Sequence, residues 1–243
     1  MEFALVLVIG LAAGALGGVV GFGTSIMLMP VLMIVFGPRE AVPIMAVASI
    51  MANASRVLAW WRVVDWPAVR AYSVTAVPAA VLGARTLLAV PPGLIETVLG
   101  VFFIGMIPLR RWMAARHWHA NLWHLAIAGA GLGFLTGLVA STGPINAPIF
   151  LAHGLVKGAY LASEALGSLA VYLAKAAVFH TLGALPVDIA LKGLIVGGSV
   201  TVGSFAAKGL VGSIDPARFR VLMDLLLLVA GCSMLWTALR TAG

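Results

Sequence analysis

Residues 3–36 form an apolar stretch that a single membrane-spanning helix cannot accommodate. As one continuous helix it would measure about 51 Å, against a hydrocarbon core of about 30 Å. It is interrupted by Gly21-Phe22-Gly23-Thr24-Ser25, a cluster poorly suited to a helix interior. The pattern predicts a helix over 3–20, a break over 21–25 and a shorter helix over 26–36. Non-helical backbone at membrane depth persists only where it is buried in protein or lines a wet cavity. The break is therefore expected to sit inside the molecule.

The same grammar returns later. Gly10, Gly14 and Gly18 recur as Gly129, Gly133 and Gly137, a constant offset of 119, and a second break follows at Ser141-Thr142-Gly143-Pro144-Ile145-Asn146. Arg56 and Lys175 keep that offset, as do Pro67 and Pro186, and Val64-Asp65 is echoed by Val187-Asp188. The second half predicts helices over 122–140, 147–156, 159–180, 187–210 and 217–240; the first predicts 41–61, 68–89 and 94–109 after a turn at Gly37-Pro38. A basic, aromatic-rich linker, residues 110–121, joins an N-terminal repeat (1–109) to a C-terminal one (122–243).

Composition settles the class. The chain is 62% hydrophobic and 9% charged, with a mean hydropathy of +1.11, whereas soluble domains carry about 25% charged residues. Barrel-type alternation is absent, so the expectation is an all-α polytopic membrane protein. The net charge of +7 is read as loop charge that orients helices rather than as a nucleic-acid surface. One cysteine, Cys232, cannot form an internal disulfide. Met1-Glu2 runs directly into apolar residues, so no removable leader is expected and the first segment stays.

Basic residues also bear on the repeat arrangement. If each broken segment is a re-entrant hairpin, one side collects Arg62, Arg70, Arg110, Arg111, Arg116, Lys157, Lys208, Arg218 and Arg220. Arg39, Arg85, Lys192 and Arg240 fall on the other. If each segment crosses fully, the split is nearly even. The re-entrant count obeys the positive-inside rule better and makes the halves inverted repeats, with the linker cytoplasmic.

A helix that starts at mid-membrane presents unpaired N–H groups and a positive dipole end, a natural anion site. Gly21, Phe22, Gly23, Thr24 and Ser25 in one half, and Ser141, Thr142, Gly143 and Asn146 in the other, are the candidate substrate contacts. The spaced glycines before them are read as packing surfaces. Pro144 suits a first helical turn. Asn53 and Arg56 share a helix face with Ser49, and Lys175 shares one with Ser168 and Tyr172. Both cations either face the interior as an anion centre or snorkel to the interface. Glu164 is expected to pair with Lys175 or to carry a coupling proton, and Asp224 to pair with Arg220 at i,i+4. His153 and His180 are not spaced as metal ligands, the methionines read as core, and no catalytic or nucleotide motif is visible. No cofactor, metal or enzymatic activity is expected.

The Gly-Gly-Val-Val-Gly-Phe-Gly-Thr-Ser…Pro30 signature, its return at 133–148, and Val-Asp-Trp after the second helix resemble the TauE/SafE family of sulfite exporters along nearly the whole chain. The resemblance implies two homologous helical halves. It also implies movement of sulfite, sulfoacetate or a related small sulfur-containing anion across the prokaryotic inner membrane. The alternatives are a passive anion channel and a non-transporting membrane partner protein.

Overall fold

A computed structural model describes residues 2–21, 23–90, 92–115, 119–139 and 142–206, with scattered positions from 221 to 239. The helix expected over 217–240 and the candidates Phe22 and Ser141 lie largely or wholly outside the described residues. All described elements are helical: α1 (Glu2–Val20), α2 (Thr24–Trp60), α3 (Trp66–Ala89), α4 (Pro92–Ala115), α5 (Leu122–Leu138), α6 (Gly143–Ala152), α7 (Lys157–Thr181) and α8 (Val187–Ala206). Gly37, at φ 75° and ψ 165°, divides α2 into two portions at a kink. Among the described residues, four segments are long and apolar enough to cross a membrane: Arg39–Val63, Trp66–Ala89, Lys157–Thr181 and Val187–Ala206.

The two breaks are tighter than the sequence pattern alone predicts. The first occupies only residues 21–23, because Gly21 and Gly23 reverse the chain at φ +87° and +119°, conformations open to glycine and strained for other residues. The second short helix starts at Gly143 rather than 147, because Pro144 fits its first turn at no hydrogen-bonding cost. Each broken segment then doubles back on itself. The Phe3 and Phe36 rings meet at 5.9 Å, so the first portion of α2 returns toward the start of α1. At the other tip, the Ala120 N–H donates to the Ala152 carbonyl at 2.9 Å, closing α5 against the end of α6.

The remaining helices interlock across the chain. Helix α1 lies along α8 and α5 along α3, both pairs parallel. Gly10 faces Ser199, Gly14 faces Val200 and Gly18 faces Ser204, while Gly129 faces Thr75, Gly133 faces Ala76 and Gly137 faces Ala80. The partners Thr75/Ser199, Ala76/Val200 and Ala80/Ser204 are all 124 apart, so packing register in the third helices follows 124 and not the 119 of the Pro67/Pro186 match. The second half carries five extra residues at that point. Helices α2 and α7 run antiparallel through the middle, with Trp60 beside Gly158 and Arg56 beside Glu164.

The glycine stripes permit backbone contact where lipid gives helices no hydrophobic reason to associate. A Cβ on Gly133 would sit 2.3 Å from the Ala76 carbonyl oxygen and 2.6 Å from its Cα, whereas one on Gly131 meets nothing within 4 Å. Gly133→Ala is therefore expected to cost about 1–3 kcal/mol by overpacking. Gly131→Ala should be neutral or stabilising by up to about 1 kcal/mol. Melting temperatures in detergent check this, and equal shifts for the two variants would remove the close-approach explanation.

Candidate functional site

The two hairpin tips meet in the middle of the molecule, around a cavity of about 30 Å³. That is room for a small ion or a few ordered waters, one water needing roughly 10–15 Å³. Its walls are polar. Gly21, Gly23, Thr24 and Ser25 come from the first tip, and Thr142, Gly143 and Asn146 from the second. Ser49, Asn53 and Arg56 come from α2, Glu164, Ser168 and Tyr172 from α7, and Thr136 from α5. Of the sequence-predicted contacts, all described ones except Lys175 line this space.

Helices α2 and α6 both begin here, and neither has a side-chain N-cap. In α6 the Ile145 and Asn146 N–H groups donate to the Thr142 carbonyl at 2.9 and 3.0 Å and Pro144 has no N–H, whereas the backbone ladder of α2 begins with Met27 donating to Gly23 O at 3.0 Å. Both helix dipoles point positive ends at the same place. The Ser49 hydroxyl adds a further donor. It is buried, at 3% exposure, and has no hydrogen-bond partner. A buried hydroxyl left unpaired costs about 1–3 kcal/mol, and an occupant of the cavity would satisfy it.

Arg56 supplies the charge. Its guanidinium donates to the Gly21 carbonyl and to Asn53 Oδ1, and reaches Glu164 Oε2 at 3.0 Å. Asn53 is itself fixed by its amide donating to Ser49 O at 2.7 Å. The partner of Glu164 is thus Arg56, on the antiparallel helix, and not the expected Lys175 on its own helix. The other carboxylate oxygen accepts from Ser168 Oγ at 2.8 Å and faces the Asn146 amide at 3.5 Å. Asn146 Oδ1 in turn accepts from Tyr72 at 3.2 Å. With the carboxylate on the guanidinium, the pair carries no net charge.

Lys175 has a different task. Fully buried at 1% exposure, its ammonium donates to the carbonyls of Thr136 and Val139 at 2.8 and 2.7 Å. These are terminal carbonyls of α5, where unpaired acceptors and the negative dipole end call for a cation. Arg56 does the same for α1 through Gly21. The two basic positions 119 apart thus seal the C-terminal ends of the two hairpin arms, and only Arg56 also faces the cavity. Neither snorkels. Away from the centre, Asp224 pairs with Arg111 at 2.6 Å; Arg220, its expected partner, lies outside the described residues.

The sequence profile of the sulfite exporter TauE/SafE family matches residues 6–234. The chain belongs to this family. It is a multi-pass membrane protein of a family of exporter-type transporters for sulfite and organosulfur anions, and the family's work is transport rather than catalysis. No curated protein and no solved structure matches the chain. Within this TauE/SafE protein, Thr136 and Tyr72 were invisible as site residues in the sequence. Each is a lone polar group in an apolar helix, brought to the centre only by packing of α5 and α3 against the other half.

Proposed function

We propose that the protein exports a small oxyanion, such as sulfite, sulfoacetate or another organosulfonate, across the prokaryotic inner membrane. It does so by alternating access about the central cavity. The observation that carries this reading is the meeting of two helix N-termini without side-chain caps, the Arg56 guanidinium and the unpaired Ser49 hydroxyl around one small polar cavity. Thr24, Ser25, Thr142, Gly143 and Asn146 line the anion; Asn53 holds the guanidinium toward it. Residues 1–109 and 122–243 act as inverted repeats, with the 110–121 linker cytoplasmic. The antiparallel course of α2 and α7, and hairpins entering from opposite ends, support that arrangement.

Glu164 is the proton carrier. Its carboxylate occupies the guanidinium face an anion needs, and protonation converts Oε2 from acceptor to donor and frees that face. The groups around it are Arg56 from α2, Asn146 from α6, Tyr72 from α3, and Ser168, Tyr160 and Tyr172 of α7. In proteoliposomes, sulfite or sulfoacetate flux by the natural protein should be accompanied by proton movement and should respond to a pH gradient. Glu164→Gln should keep anion binding and lose both. Proton movement that persists in Glu164→Gln removes the carboxylate from coupling. Absence of flux for sulfite, sulfoacetate, sulfate and chloride alike in the natural protein would end the transport reading.

A further inference from the structure

Two further hollows lie toward the two ends of the second portion of α2. One, of about 520 Å³, opens at the Arg39 end and is lined by Val42, Leu87, Ala184 and Ile189, with Phe179 among its walls. The other, of about 20 Å³, lies toward the Trp60 end and is lined by Gly18, Ser55, Arg56, Trp60 and Ser204. Arg56 is common to this small hollow and the central cavity.

One aromatic wall residue of each hollow corresponds. Trp60 stands four residues after Arg56, and Phe179 four residues after Lys175, so the aromatics keep the same 119 offset as the cations. The Phe179 ring, fully buried, lies 5.5 Å from the Lys175 ammonium. The Trp60 indole lies against the first turn of α7, where a Cβ on Gly158 would come within 2.5 Å of it. Among the described residues, the hollow at the Phe179 end measures about 520 Å³ and the one at the Trp60 end about 20 Å³.

We infer that the small hollow is a second, transient site for the same oxyanion, between the central cavity and the Trp60 end, and that Trp60 closes it. This rests on the central cavity being an anion site. An anion leaving that cavity without a cation would face the cost of unpaired charge in a low-dielectric interior. A guanidinium shared by both spaces removes that cost, because its five donors fan out over a plane wide enough to serve either side. The Ser55 and Ser204 hydroxyls now donate to the carbonyls of Ala52 and Gly14 at 2.8 and 2.9 Å, and each can rotate toward an anion. The hollow holds an ion only once the indole leaves Gly158.

Thiol labelling of the full chain in nanodiscs tests this, with Cys232→Ser as background and Ser204→Cys or Ser49→Cys as reporters of the two spaces. Sulfoacetate is the probe, because sulfite would itself consume a thiol reagent. With Trp60 present, labelling at 204 should be slow, and Trp60→Ala should raise it at least about tenfold, while Trp60→Phe restores slow labelling. Saturating sulfoacetate should protect both reporters. A rate at 204 that ignores Trp60→Ala, or protection at 49 without protection at 204 in the Trp60→Ala protein, overturns the second site and leaves the central one standing. Protection at neither position overturns both. Trp60→Phe guards against a merely misfolded variant, since it preserves the packing on Gly158.

Discussion

Arg56→Ala is expected to reduce oxyanion flux at least about 30-fold while the protein still inserts and folds. Truncating one member of a buried, hydrogen-bonded charge pair costs about 2–5 kcal/mol, and about 1.4 kcal/mol corresponds to tenfold. Arg56 loses more than an average partner, because it serves the Gly21 carbonyl, Asn53 and Glu164 together. Its removal also leaves Glu164, 3% exposed at the side chain, as an uncompensated carboxylate in the space meant for an anion. Stability should therefore fall as well, by roughly the 3–5 kcal/mol typical of a broken buried pair. The double variant Arg56→Ala/Glu164→Ala separates the two effects. It removes the buried unpaired charge, so melting temperature should recover in large part, whereas flux should stay low because no cation faces the cavity. Arg56→Lys should do little better than alanine, since one ammonium cannot reproduce a fork that holds a carbonyl, an amide and a carboxylate at once. Flux in the double variant near that of the natural protein would show that Arg56 is needed only to balance Glu164.

The sequence made the breaks legible because glycine pairs and a hydroxyl cluster contradict the apolar helix around them. Recurrence of the spaced glycines before them at a fixed offset of 119 drew attention to both at once. Ser49, Asn53 and Arg56 were readable as one helix face by spacing alone, and all three line the cavity. What the sequence could not supply was pairing between helices. Glu164 is eleven residues from Lys175, three turns along the same helix, which made a local partner attractive. Its actual partner is 108 residues away, and the antiparallel α2–α7 packing that unites them has no local signature. Thr136 and Tyr72 failed for the same reason. The end of each hairpin tip was misjudged by up to four residues, because Asn146 looks like a break residue until Pro144 is seen to begin the helix beneath it.

Lys175→Met should separate the two cations. The substitution keeps the length of the buried side chain and removes the ammonium, leaving the Thr136 and Val139 carbonyls without their donor. Each buried carbonyl so orphaned costs about 1–3 kcal/mol, and the negative end of α5 loses its compensating charge. Thermal stability in detergent should fall by several kcal/mol, and yield with it. Sulfite affinity measured on the folded fraction should change less than about threefold, since Lys175 reaches the cavity only through Thr136, whose carbonyl it holds. Arg56→Ala also loses stability, but it differs in a deep loss of flux in the protein that folds. A loss of affinity in folded Lys175→Met as deep as that in Arg56→Ala would restore Lys175 to the anion centre and make the site a two-cation one. The distinction bears on what the site can carry: one cation, cancelled by a neighbouring carboxylate until that is protonated, suits an anion taken up together with a proton. Two would hold a dianion without one.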